Sequence, residues 1–172
     1  FGKLDMVEMF LDDSRFDYKA HNGRIIRTAF INGHMGLVKK LLTKPGFHPR
    51  MNNEEPLVYA ATYGHLAIVK MLINNHGADP TVNNNSALVW AIMNNHERVV
   101  RFLLQDPRVD LSVNRNAVGI ATDNRNINII RMLVKNPRCI ITRHDIRYAS
   151  TRSSVITNII KRAYRNRQKA IC

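Results

Sequence analysis

A small residue returns every thirty or so positions along this chain, and that period constrains the fold more than any other feature. Ala29 recurs as Ala60, Ala91 and Ala121, at steps of 31, 31 and 30. Gly33-His34 recurs as Gly64-His65, then drifts to Asn95-His96 and Arg125-Asn126. Val38, Val69, Val100 and Ile130 keep the same register, as do Leu41-Leu42, Leu72-Ile73, Leu103-Leu104 and Leu133-Val134. A unit this short buries its apolar stripe only against its neighbours. The period therefore predicts a stacked array whose stability is a sum of interfaces.

The clearest copy runs from Glu55 to Pro80, EPLVYAATYGHLAIVKMLINNHGADP. Pro56 suits the first position of a helix whose small apolar side is Leu57, Ala60 and Ala61, and Gly64-His65 breaks it. A second helix follows, with Ile68, Val69, Leu72 and Ile73 on one stripe and Lys70 outside it. Gly77 supplies its C-terminal cap. The other units are predicted at 23–53, 85–115 and 116–143, beside this one at 54–84. Asn22, Asn53, Asn84 and Asn114 recur at the expected tips of short hairpin-like connections, where Asn tolerates the left-handed conformation.

Both ends read as incomplete copies. Gly2, Val7 and Phe10-Leu11 lie 31 before Gly33, Val38 and Leu41-Leu42, so residues 1–22 form a partial unit and Leu4 to Leu11 its second helix. The sequence has no initiator Met, and it reads as a piece of a longer chain. At the other end Asp145 to Ser150 and Ser154 to Tyr164 form a last helix pair, a basic cap over 144–172 with Val155, Ile156, Ile159 and Ile160 as its stripe.

Charge divides the array. The chain carries 26 Lys or Arg against 13 acids, a formal +13, which favours acidic partners. Residues 124–172 hold 12 of the bases and one acid, Asp145, so they contribute +11 and residues 1–123 only +2. Cys139 and Cys172 are too few for a disulfide framework, which fits a reducing, intracellular setting, cytoplasmic or nuclear. No apolar run approaches a membrane span, and the first residues lack the layout of a signal peptide.

Catalytic chemistry finds no foothold. There is no G-x-S-x-G, no G-x-x-x-x-G-K-[ST], no G-x-G-x-x-G and no H-E-x-x-H, and no cofactor is implied. His34, His65 and His96 repeat every 31 residues, but one repeat of packed helices separates them by about 10 Å, too far for one ion with ligand bonds near 2 Å. Each is read as starting a second helix, with no metal. The sequence is not that of an enzyme.

The pattern P-L-x-x-A-A-x-x-G-H-x-x-I-V-x-x-L-I followed by G-A-D, at Pro56 to Asp79, resembles the ankyrin repeat family, and the register extends the resemblance over essentially the whole chain. It implies an all-α, ankyrin-repeat α-solenoid of stacked helix-turn-helix units. The family's T-P-L-H tetrapeptide survives only as Glu55-Pro56-Leu57-Val58, so its His and Thr bonds between repeats are expected to be absent. Connections such as D-P-R-V-D at Asp106 to Asp110 are also similar to ankyrin repeat proteins of giant DNA viruses, which would place a viral protein in the host cell or the virion.

The resemblance also implies a binding face. In the family the position before the first Ala of the first helix faces a concave groove, and here it reads Thr28, Tyr59, Trp90, Ile120 and Tyr148. One turn on lie Thr62-Tyr63, Met93-Asn94 and Asp123-Asn124. Tyr59, Tyr63, Trp90, Met93, Asn94 and Tyr148 are the expected anchors for a protein partner, since aromatic and Met side chains dominate interface energetics. The alternative is packing of Tyr59 and Trp90 against the connections. Lys39, Lys70, Arg101 and Arg131 form a convex column, read as a solvated face. A second candidate site is the tract Arg143, Arg147, Arg152, Lys161, Arg162, Arg165, Arg167 and Lys169, interleaved with Tyr148 and Tyr164, where RNA or DNA backbone or another polyanion would bind. A ligand-free basic cap and an acidic protein partner stand beside that reading.

Overall fold

The computed structural model describes residues 9–13, 17, 20–48 and 51–171. Among them there is no strand. Five helix pairs follow one another: α1 (Ala20–Ile31) with α2 (Met35–Leu42), α3 (Met51–Thr62) with α4 (Leu66–His76), α5 (Val82–Met93) with α6 (Glu97–Leu103), α7 (Ala117–Asp123) with α8 (Ile127–Lys135), and α9 (Arg143–Ser150) with α10 (Ser154–Ile171). The first members pack in the order α1, α3, α5, α7, α9, and α4, α6, α8 and α10 pack in the same way beside them, so the array has two helix layers. Residues 9–12 are helical, as expected for the second helix of a partial unit, while Gly2, Leu4 and Val7 lie outside the described residues.

The repeat register is the core. Ala29, Ala60, Ala91, Ala121 and Ala149 are all 0% exposed, and so are Val38, Val69, Val100 and Ile130. A residue larger than Ala at the first set would push adjacent first helices apart, and such overpacking costs about 1–3 kcal/mol. The turn inside each pair also repeats. Gly33 (φ 68°) and Gly64 (φ 78°) take the left-handed conformation, and Asn95 (φ 62°) and Arg125 (φ 53°) adopt it too where Gly has drifted away. Gly77 (φ 65°) caps α4, and the Ala78 N–H donates to Leu72 O at 3.0 Å in the six-to-one pattern of a glycine-terminated helix.

Several expectations are corrected. Pro56 does not open its helix: α3 begins at Met51, and Pro56 lies buried a turn and a half inside, where its missing N–H removes one helical bond. Asn22 and Asn53 fall within α1 and α3 rather than at connection tips, because these helices start earlier than the repeat pattern suggested. Asn84 does have a positive φ, but as the centre of a run: Asn83, Asn84 and Asn85 hold φ of 51°, 56° and 58°, a single left-handed turn ahead of the regular part of α5. Asn114 (φ −104°) does not share it and acts through its side chain instead. In α10 Val155 is 53% exposed, and the buried stripe is Ile156, Thr157 and Ile160.

The bonds between repeats expected to be absent are the T-P-L-H tetrapeptide's own; successive units are joined through another histidine. His65 Nε2 lies 2.7 Å from Ile31 O and His96 Nε2 2.8 Å from Thr62 O. A carbonyl only accepts, so each Nε2 carries the proton. The imidazole rings lie flush on the preceding unit's glycine: a Cβ on Gly33 would sit 2.4 Å from His65 Nδ1, and one on Gly64 2.4 Å from His96 Nδ1. Asn95 has a Cβ, and the unit after it carries Asn126, whose amide donates to Asn95 Oδ1 at 3.2 Å and whose own Oδ1 accepts from the Ile129 N–H at 3.0 Å.

Candidate functional site

The layer of first helices bears a line of exposed apolar side chains. Tyr63 is 49% exposed, Trp90 43%, Met93 44% and Val113 53%, on a surface whose neighbouring Ala and Leu positions are closed. Trp90 stands between two open recesses. One, of about 660 Å³, lies between α3 and α5 and is walled by Tyr59, Thr62, Tyr63, Ser86 and Trp90, with Glu55 as its one carboxylate. The other, of about 580 Å³, lies between α5 and α7 and is walled by Trp90, Met93, Val113 and Ile120. Tyr59 is half-buried, and the Arg27 guanidinium lies 5.8 Å over its ring in a cation–π contact.

The left-handed turn frames both recesses, since Asn83 lines each of them. Three successive non-glycine residues with positive φ are costly, and the turn is held by bonds to the next unit. The buried Asn85 amide donates to Asp110 O at 2.8 Å and to Asn114 Oδ1 at 2.6 Å, and Asn114 Nδ2 donates to Asn84 O at 2.6 Å. The neighbouring connections are ordered in matching fashion: Asp79 accepts from the Thr81 N–H at 2.9 Å and Asp110 from the Ser112 N–H at 2.9 Å. Asn83, Asn84 and Val113 were not among the expected site residues. The N-N-N run was the one available signal, because Asn is the ordinary residue best suited to this conformation.

The expected anchors do not all meet. Tyr59, Tyr63, Trp90 and Met93 converge on the two recesses. Asn94 is exposed at the end of α5, where its amide donates to Trp90 O at 2.9 Å, a helix-terminating contact. Tyr148, on α9, belongs to a separate cluster: its hydroxyl donates to Asp123 Oδ1 at 2.6 Å, its ring stacks on His144, and Arg152 lies 5.3 Å over its face and 3.3 Å from Asp123.

The basic tract likewise divides. Arg143, Arg147 and Arg152 lie at the end of the first layer, and Lys161, Arg162, Arg165, Arg167 and Lys169 on α10 in the second. Lys161, Arg165 and Lys169 follow at i, i+4 and i+8 along one exposed stripe of α10. Arg167 lies on the opposite side, in line with Ile156 and Ile160. Its guanidinium donates to Val134 O at 2.9 Å, to Asn136 O at 2.7 Å and to Cys139 O, so it closes the last carbonyls of α8 and the connection beyond. The spacing of Arg167 from Ile156 and Ile160, eleven and seven residues, could have placed it on the inner face. Asp145, the single acid of this end, is buried in a capping box with Thr142, its carboxylate accepting from the Thr142 N–H at 2.7 Å. Burial pushes the Cys139 thiol up to about 11. Among the described residues no group of His, Cys, Asp and Glu is arranged to hold a metal ion, and no helix is long and apolar enough to cross a membrane.

A family model described as ankyrin repeats in three copies matches residues 1–84 and 82–145. The chain belongs to the ankyrin repeat family. Its repeats are, as a class, protein–protein interaction modules. Neither a curated protein nor a solved structure matches the chain.

Proposed function

We propose that this chain is a non-enzymatic scaffold or adapter that grips a protein partner on its first-helix layer, with Trp90, Tyr63 and Met93 as anchors and Tyr59 as a wall. The observation that carries this reading is the contiguous exposed line Tyr63–Trp90–Met93–Val113, open on both sides of Trp90 and set on helices whose adjacent faces are fully buried. Indole and thioether groups left in water gain by desolvation against a partner, and the rigid turn at Asn83 to Asn85 lowers the ordering cost of that event. Nucleic-acid binding through the basic tract stands second. Of its eight cations Arg167 is committed to backbone carbonyls and Arg152 is paired with Asp123, and the rest are divided between two helix layers.

The test is capture of partners from the native source by the wild-type chain and by Trp90→Ala, with equal unfolding midpoints as the control. Truncating a central anchor costs at least about 2 kcal/mol, a roughly thirtyfold loss, so specific partners should leave the Trp90→Ala sample. An unchanged partner set on a folded variant would sink the proposal.

A further inference from the structure

The second-helix layer holds a feature that recognition by the other layer does not use. Between α8 and α10 runs an open groove of about 1020 Å³. Val134, Pro137, Ile159, Ala163 and Ala170 give it an apolar lining, with Asn166 beside them. Its flanks are cationic: Arg131 and Lys135, one turn apart on α8, face Arg162 on α10. All three are exposed, and no ion pair or hydrogen bond among the described residues occupies them. The fourth cation beside the groove, Arg167, is engaged with carbonyls and fixes the wall rather than offering charge. No acid is among the residues that line the groove.

We infer that this groove holds an acidic amphipathic helix of a partner protein. Charge complementarity sets the sign, and the apolar lining sets the class. A phosphate backbone would gain from the three cations but nothing from five apolar side chains, whereas an amphipathic helix places an apolar stripe on that lining and carboxylates against Arg131, Lys135 and Arg162. The groove follows α10 from Ile159 to Ala170, twelve residues whose ends lie about 16 Å apart along the axis, which is three turns of an occupying helix. The long α10, twice the length of α8, creates it by running past the end of that helix.

The probe is a fluorescein-labelled peptide of four helical turns, with Leu along one face and Glu on both flanks, titrated against the full chain by anisotropy in physiological salt. Its control is a shuffled isomer of the same composition with no apolar face. The amphipathic peptide should bind and the isomer should not. Arg131→Glu with Lys135→Glu, both on the exposed surface, should weaken it about tenfold or more, whereas Lys161→Ala with Arg165→Ala and Lys169→Ala, on the outer stripe, should change it less than about threefold. Equal binding of the isomer, indifference to the double charge reversal, or displacement of the peptide by a DNA duplex at lower concentration would each overturn the inference. Trp90→Ala should leave the titration unchanged, so this result and that for the aromatic face stand or fall separately.

Discussion

The middle of the array and its C-terminal end join successive units with different atoms. Between the middle units an imidazole lies on a glycine of the unit before and donates to its backbone: His65 on Gly33 to Ile31 O, His96 on Gly64 to Thr62 O. Towards the end the glycine is replaced, the ring no longer fits, and amides and guanidinia take over. Asn126 reaches Asn95, Asn124 Nδ2 donates to Ile92 O and Met93 O at 3.0 and 2.9 Å, and Arg138 and Arg167 hold the carbonyls of the connections before them. The difference teaches how to read the charge of this chain. Part of the cationic excess of residues 124–172 is mortar between units, and only the remainder is available to a ligand.

The largest effect should come from forcing one junction into the other's chemistry by halves. Gly64→Ala puts a Cβ into the His96 ring and a side chain at φ 78°, and should destabilise the protein by about 2–4 kcal/mol in urea unfolding. Gly64→Asn together with His96→Asn copies the Asn95–Asn126 junction and should come within about 1.5 kcal/mol of wild type. If the double variant were as unstable as Gly64→Ala, the two junctions would not be alternative solutions of one interface.

Next in size, Arg167→Ala should cost about 1.5–3 kcal/mol of cap stability, because charged hydrogen bonds to three carbonyls are lost, whereas Arg162→Ala should stay within about 0.5 kcal/mol. The readout is alkylation of Cys139 in a Cys172→Ser background. Burial holds its thiol near 11, and the Arg167 charge opposes that in part. Losing Arg167 removes that charge but opens the cap and relieves the larger effect of burial, so the thiol should react faster at pH 8 in Arg167→Ala only. Equal rates in the two variants would return Arg167 to the solvated surface. Smallest is Arg125→Gly, which removes a branched-free but still Cβ-bearing residue from φ 53° and should stabilise by about 0.5–1 kcal/mol, measured by thermal unfolding; Asn95→Gly, losing its bond to Asn126, should not.

The contrast also explains what could be read from the letters. Ala29, Ala60, Ala91 and Ala121 were legible as core because burial between first helices admits only a small side chain, and a spacing near 31 with such a residue is a geometric statement. That Tyr59, Tyr63, Trp90 and Met93 share one face was legible because they sit at regular offsets from those alanines. Tyr148 has the same offset yet a different fate, since Asp123 and Arg152, brought close only by the stacking of α9 on α7, hold it aside. The turn at Asn83 to Asn85 breaks the period locally, so register arguments ran past it. Arg167 was miscast because charge was counted along the chain, while its burial depends on the helical phase shared with Ile156 and Ile160.

The central claim is that the scaffold lies in the repeated residues and recognition in the exposed line between them. It is tested most directly by placing a photoreactive phenylalanine analogue at position 63, 93 or 101 and irradiating each folded variant in extract of the native source. The account predicts a shared partner adduct from positions 63 and 93 and none from 101, on the second-helix layer. Adducts from 101 alone, or from none of the three while the wild type still captures its partner, would contradict it.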